Sequence, residues 1–370
     1  MTDDALKAFD EKLKQAGMYG QWQSDAYLQQ VMDGPKPAGQ GKVWRWPDVA
    51  ALLDEACTVM TESLTARRSL MFVNPGLPRG STHTIAMGVQ MILPGETAWT
   101  HRHSIAALRF TIEGGKQLYS VVDGEPCMME THDLVLTPGW TWHDHHNESD
   151  QRCAWLDVLD VPLMITLNQA FYEPYGEERQ PLRNDGEAQA RRHGPYRPIW
   201  ESIPTRRVPV RYPWAEMEAR LRAVADTCDG SPFDGVALEY TNPITGGPTL
   251  PTLTCWASWI KPGQKLARHR RTSSAVYHVV RGQGRAQVGD NELTFGPRDS
   301  FCVPNWAWHS IENTNPREEL VLFSVHDIPF LLTLGLYRED PSGQVAATPP
   351  SRVPADLARP GGPSKWDTQD

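Results

Sequence analysis

The chain has 370 residues, enough for two compact domains, because single cores stop growing near ~250 to 300 residues. A formal net charge of −9, a pI near 5.8 and the lack of any long Lys/Arg run argue against nucleic acid or an anionic membrane as the main partner, which leaves a small molecule. Six scattered cysteines without a C-x-x-C pair, and no apolar signal segment after Met1, are what a cytoplasmic protein with reduced, packing thiols is expected to have.

Residues 1–68 read as a helical N-terminal segment. DALKAFDEKLKQAGM from Asp4 and WPDVAALLDEACTVMTESL from Trp46 space apolar residues three and four apart, and Pro47 with Asp48 suits a first helical turn. Over 69–175 the period changes to two. TIAMGVQMILPGE, ALRFTIEGG, QLYSVVDGEP and DLVLTPGW are rich in β-branched and aromatic residues and close on Pro, Gly or Asp-Gly turns, the pattern of an antiparallel barrel or sandwich. A polar stretch from Gly176 opens a linker, 176–234, that includes a helix near Trp214 to Asp226. Strand-like segments return over 235–340, and the Pro/Gly/Ser-rich tail, 341–370, is expected to be irregular. The most apolar run, LVLFSVHDIPFLLTLGLY from Leu320, is interrupted by His326, Asp327 and Pro329, which a membrane span tolerates poorly.

The two strand-rich regions are copies of one another. PGETAWTHRHSIAALRFTIEG from Pro94 aligns without a gap on PGQKLARHRRTSSAVYHVVRG from Pro262, at an offset of 168. DLVLTPGWTWHDHHN from Asp133 aligns on DSFCVPNWAWHSIEN from Asp299 at an offset of 166, and LDVPL near Asp160 recurs as HDIPF near Asp327.

Alternate strand residues share a face, so His101 and His103 point the same way, into whatever the barrel encloses. His143, from WTWH on a later strand, makes a third imidazole. Three such ligands from two strands form a facial set with open positions, suited to a catalytic divalent metal rather than a closed structural one. Alone, His-x-His reads better as a surface pair; the WTWHDHHN segment shifts the reading to metal.

These residues resemble the cupin superfamily, and HRH…ALRF…EGG with LTPGWTWHDHHN resembles the bicupin gentisate and salicylate 1,2-dioxygenases over roughly residues 60 to 335. The resemblance implies a mainly β bicupin, two antiparallel barrel or jelly-roll domains with N-terminal helices, in which the first is catalytic. It further implies Fe(II) on His101, His103 and His143, ring cleavage of an aromatic hydroxy acid with O2, and a homotetramer. Many cupins carry a carboxylate ligand after H-x-H; SIAALRF has Arg109 instead. Neutral ligands leave the ion its full double charge, which favours an anionic chelating substrate, and Arg109 among apolar neighbours suits a clamp for the free carboxylate oxygen. Gln90 and His145 carry over as substrate-binding residues, His145 also as a general acid/base or alternatively a brace, and Arg67 or Arg68 as an arginine reaching the site from the preceding segment. Asp144 and His146 face the other way, and His83 and His132 read as solvated loop histidines.

The second copy keeps His269 and His309, but Arg271 matches His103 and Tyr277 matches Arg109, so an empty structural barrel is expected. In the first copy, Ala86 stands where many gentisate enzymes have tryptophan, and Ile105 replaces a polar residue. The first change opens the pocket and the second makes it less polar, so substituted salicylates or 1-hydroxy-2-naphthoate fit at least as well as gentisate. Two other classes are a non-catalytic storage or ligand-binding bicupin, which needs no such triad, and a metal-dependent isomerase or oxalate-type enzyme, which usually has the missing carboxylate.

Overall fold

The computed structural model describes residues 3–24, 27–28, 31–32, 34–60, 68–183, 211–243 and 245–341. Most of the polar linker, the tail beyond 341 and Arg67 lie outside the described residues. The chain runs from helix α1 (Asp3–Gln15) through β1 (Lys42–Trp44), α2 (Trp46–Val59) and β2 (Arg68–Met71) into β3 (Ala86–Ile92), β4 (Thr97–His103) and β5 (Ala107–Glu113). There follow β6 (Gly115–Val122), β7 (Glu125–Met129), β8 (Leu134–Thr137), β9 (His143–Asn147), β10 (Cys153–Leu159), α3 (Val161–Thr166) and β11 (Tyr172–Pro174). The second half begins with β12 (Arg211–Tyr212), α4 (Trp214–Ala225), β13 (Val236–Glu239), β14 (Thr254–Ile260), β15 (Arg270–Arg271) and β16 (Ala275–Arg281). It ends with β17 (Gly284–Val288), β18 (Asn291–Phe295), β19 (Ser300–Val303), β20 (His309–Asn313), β21 (Leu320–His326), α5 (Ile328–Thr333) and β22 (Glu339–Asp340).

The architecture is mainly β, with two barrels of antiparallel strands. In the first, the sheet β12-β8-β5-β10-β3-β2 lies opposite the sheet β11-β4-β9-β6-β7. In the second, β1-β19-β16-β21-β14-β13 is accompanied by the smaller sheets β18-β17-β20 and β15-β22. The Asp-Gly turn read from the sequence joins β6 to β7: Asp123 and Gly124 both have positive φ, 49° and 86°, as a two-residue hairpin with right-handed strand twist requires.

Strand alternation sorts the side chains of the large sheets. In β5, Leu108, Phe110 and Ile112 join Val276, Val321, Phe323 and Val325 in a core between the barrels, and Phe110 stacks on Phe323 at 4.0 Å. Each such ring, taken from water, contributes roughly 1.5–3 kcal/mol to the association of the barrels. The alternate residues Ala107, Arg109 and Thr111 therefore turn into the first barrel, whose own apolar lining is Ile92, Leu118, Val122, Cys127, Met129, Val135, Cys153 and Trp155.

The repeat is longer than the two strand-rich regions. Trp46 and Trp214, which open α2 and α4, stand at the same offset of 168, and each helix follows a short strand paired with the other copy. Thus β1 pairs with β19 of the second barrel, Trp44 opposite Ser300, while β12 pairs with β8 of the first, Tyr212 opposite Leu134. Matching aspartates fasten these exchanged segments. Asp133 accepts from the Trp214 N–H at 2.8 Å and Arg211 Nε at 2.8 Å; Asp299 accepts from the Trp46 N–H at 2.7 Å and Arg45 Nη1 at 2.9 Å. His132 is not a solvated loop residue: it stacks on Phe110 at 5.8 Å and abuts Trp214 at 5.5 Å, and burial pulls its pKa down to about 4.

A second pair of aspartates crosses between the barrels. Asp160 accepts the Thr252 hydroxyl at 2.6 Å, and Asp327 accepts the Thr84 hydroxyl. No disulfide involves the six cysteines, and among the described residues no helix is long and apolar enough to cross a membrane.

Candidate metal and substrate site

β4 and β9 are neighbours in the smaller sheet of the first barrel, with His101 opposite His143. His103 follows on the same face of β4, so all three rings enter the barrel interior. One ring nitrogen of each lies within 4.8 Å of the others, and all three residues are buried. The ring centroids of His101 and His103 stand 4.2 and 4.8 Å from that of His143.

The backbone sets which nitrogen is available. His101 Nδ1 sits 2.8 Å from the Trp99 carbonyl, His103 Nδ1 2.8 Å from that of Ile105, and His143 Nδ1 3.0 Å from that of Thr141. A carbonyl only accepts, so each Nδ1 carries the proton and each Nε2 keeps its lone pair. His143 Nε2 is buried and has no hydrogen-bond partner among the described residues. Burial, then the neighbouring His101, His103, Arg109 and His145, hold the His143 pKa well below its usual value, so the ring is neutral. Three convergent imidazole donors with no carboxylate among them fit a divalent ion that keeps open coordination positions. Among the described residues this is the one group of three or more His, Cys, Asp or Glu with that convergence.

The opposite sheet brings the polar residues. Gln90 on β3 lies across from Trp155 on β10, and Arg109 on β5 across from Asp157 on β10, with Gly88 on Asp157's other flank. Gln90 is fully buried, and neither polar atom of its amide has a partner among the described residues. Such a group costs about 1–3 kcal/mol unless something satisfies it. Arg109 is likewise buried. Its Nη1 donates to the Thr137 hydroxyl, its Nε lies 3.6 Å from Asp157 Oδ1, and burial lowers its pKa against the opposing pull of Asp157.

Asp157 is the residue that sequence reasoning missed. The anion required by a buried arginine was assigned to the substrate alone, whereas the protein supplies a resident one, and Asp157 Oδ1 still has no hydrogen-bond partner among the described residues. The signal was available, since CAWLDVL places one carboxylate in an otherwise apolar strand.

His145 is also fully buried, two residues beyond His143 on the same face; its Nδ1 lies 2.6 Å from Ser120 Oγ and its ring 5.0 Å from Trp155. Asp144 and His146 turn the other way and pair at 2.9 Å. Asp144 also accepts from Thr100 Oγ1 at 2.7 Å and from the Gln180 N–H at 3.0 Å, fastening the segment after β11 to the strand. Arg67 is outside the described residues. Arg68 donates to Glu96 at 2.6 Å, in the turn that leads into β4.

In the second barrel, His269 and His309 approach to 4.2 Å between ring centroids, as their counterparts do. The third place is filled by Arg271, which holds Asp234 by two hydrogen bonds of 2.9 and 2.7 Å. Burial alone would raise the Asp234 carboxyl, but Arg271 overrides it and holds the pKa at about 2.

Two facing barrels, of which one gathers three imidazoles, define the fold as a double cupin, and the cupin-domain family model matches residues 88–159 and 259–326. The chain is 44% identical to 1-hydroxy-2-naphthoate 1,2-dioxygenase of Nocardioides sp. (strain KP7), over 93% of this chain and 90% of that one. It is 43% identical to 5-aminosalicylate 1,2-dioxygenase of Comamonas sp., with 90% of each covered. The crystal structure of salicylate 1,2-dioxygenase from Pseudaminobacter salicylatoxidans superposes with a TM-score of 0.80 at 28% identity, covering 92% of this chain and 98% of that one. The chain belongs to the gentisate, salicylate and hydroxynaphthoate 1,2-dioxygenase family, and is a ring-cleaving oxidoreductase.

Proposed function

We propose that the first barrel binds Fe(II) on His101, His103 and His143 and opens a 2-hydroxybenzoate ring, that of gentisate or a substituted salicylate, between the carboxyl- and hydroxyl-bearing carbons. The observation that carries this reading is the pairing of a carboxylate-free triad with a buried arginine inside one barrel. Bound there, ferrous iron would supply a Lewis-acidic, redox-active centre able to hold an aromatic chelate and O2 together. Both oxygen atoms end in the ring-opened oxo-diacid, so no further reductant is required.

The remaining steps belong to the chain's own groups. Arg109 receives the carboxylate oxygen not given to the metal, its guanidinium fixed by Thr137 and Asp157. Gln90 offers a donor and an acceptor to a ring hydroxyl or carboxylate, the partners its amide lacks among the described residues. His145, steadied by Ser120, orients substrate oxygen and is placed to move a proton at its Nε2. Arg67 is retained as a substrate-binding residue on the family resemblance. A cytoplasmic homotetramer belongs to the same reading.

A second reading, a fused-ring 1-hydroxy-2-naphthoate, is favoured by one feature. Ala86 and Ala107 flank Leu159 in the register of β3, β10 and β5, two rows from Asp157 and Arg109 and so on the same face. Two methyl side chains there demand less room than larger residues would, which suits a second ring beside the Arg109–Asp157 pair. Anaerobic Fe(II) loading, followed by O2 addition to gentisate, salicylate, substituted salicylates and 1-hydroxy-2-naphthoate, separates the two by ring-opening absorbance. Absence of O2 uptake with every acid overturns both. Arg109→Lys keeps the charge beside Asp157 but loses the planar fork; KM is expected to rise about tenfold with iron content unchanged. Loss of iron instead would refute the clamp.

A further inference from the structure

The peptide group that orients one of the three imidazoles is held by a carboxylate that the other barrel braces. His103 Nδ1–H donates to the Ile105 carbonyl at 2.8 Å, and the N–H of that same peptide, on Ala106, donates to Asp160 Oδ1 at 2.9 Å. The second carboxylate oxygen of Asp160 accepts the Thr252 hydroxyl at 2.6 Å. Thr252 lies two residues before β14, in the second barrel. We propose that Asp160 and Thr252 are positioning residues of the metal centre, so that the second barrel aims His103 through the line Thr252, Asp160, peptide 105–106 and imidazole.

Residues 104–106 form a bend between β4 and β5 with no strand ladder of its own. His101 donates to the Trp99 carbonyl within β4, whereas His143, like His103, donates to a carbonyl outside the strands, that of Thr141, and the N–H of that peptide, on Trp142, is held within the first barrel by Asp123 Oδ1 at 2.9 Å. The His103 acceptor takes its anchor from Asp160, and this anchor alone of the two is tied in turn to a residue of the second barrel, Thr252. A buried carboxylate on the N–H side fixes the plane of the peptide and polarises it, making the Ile105 oxygen a stronger acceptor. The proton is thereby kept on His103 Nδ1, and Nε2 points steadily at the ion. Thr252 in turn selects the carboxylate rotamer, as the hydroxyl on its second oxygen.

The molecule contains its own control. In the second copy, Asp327 Oδ1 accepts the Ser274 N–H at 2.8 Å, and its other oxygen accepts the Thr84 hydroxyl from the first barrel. Thr84 and Thr252 are counterparts in the repeat, as are Ala106 and Ser274. The brace is laid out alike, with the Ser274 hydroxyl adding a further bond to Asp327 at 3.0 Å that Ala106 lacks, but the residue matching His103 is Arg271, which turns to Asp234. One copy of the relay ends on a metal donor and the other does not.

This inference rests on the reading that the triad holds Fe(II), and the test keeps the two apart. Fe(II) and Co(II) affinities are measured anaerobically by chelator competition for the wild type, Thr252→Val, Thr84→Val, Thr252→Ser and Asp160→Ala, alongside thermal melting of each metal-free protein. Removing Asp160 is expected to weaken metal about 10- to 100-fold, and Thr252→Val about 3- to 10-fold, with Thr252→Ser restoring it. Thr84→Val, which breaks the matching contact between the barrels, should hold metal within about twofold of wild type. Equal weakening by the two valine variants, wild-type affinity in Thr252→Val, or no rescue by serine overturns the relay. A wild type that takes up Co(II) but not Fe(II) overturns the ferrous reading only, because the contrast between the valine variants is then read with Co(II).

Discussion

The two barrels share one backbone plan and differ at a few interior positions, and that difference separates what folds this chain from what gives it chemistry. Both copies keep two histidines in ring contact, at 4.2 Å in each, with Nδ1 turned to a backbone carbonyl. In the first, a third imidazole completes the set and the charge lies across the barrel on Arg109 and Asp157. In the second, Arg271 occupies the third place and its counter-ion, Asp234, comes with it. A guanidinium in the third place has no lone pair to give a metal, whereas on the far wall it leaves the three imidazoles whole.

The largest effect that can break this comparison is at the triad. His143→Ala is expected to abolish iron retention and ring opening together, while His309→Ala, its counterpart, leaves iron content and turnover intact; elemental analysis and O2 uptake decide. Turnover lost equally in both variants would make the second barrel a working site.

Next comes stability. Arg271→Ala strands Asp234 in the interior and is expected to cost about 3–5 kcal/mol in denaturant unfolding without changing iron content. A loss below about 1 kcal/mol would mean that the pair is not the element holding this barrel's interior.

The smallest effect is in acid. Burial lowers the pKa values of His132 to about 4 and of His278 and His326 to about 3, from an ordinary 6.5. The unfolded chain therefore binds more protons below pH 6.5, and stability should begin to fall there and keep falling towards pH 3 to 4. His278 is the counterpart of Phe110 in the repeat. His278→Phe removes one titrating group and should flatten the slope of stability against pH between 6.5 and about 3. An unchanged slope in urea titrations across that range would exclude His278 as a source of acid sensitivity.

Much of this was legible in the chain. The internal repeat, the period of two and the His-x-His face follow from local rules, because strand alternation and turn chemistry act over a few neighbours. WTWH supplied the third imidazole because its place in the repeat matched. The exchange of β1 and β12 was not legible: three and two residues carry no measurable period, and which barrel they join depends on where Asp133 and Asp299 come to lie. His132 was misread for the same reason, since Phe110 and Trp214, which cover it, are distant in sequence or fold over it only when the barrels meet.

By itself, then, the sequence determined the elements, the duplication and the donor types, all of which depend on short-range spacing and side-chain chemistry. Tertiary structure alone decided that Asp157 faces Arg109, that Thr252 reaches Asp160, and that each copy's leading strand completes the other's sheet. Those pairings join residues brought together only when two sheets bury their apolar faces against each other, and the energy that selects them comes from that burial rather than from any local pattern.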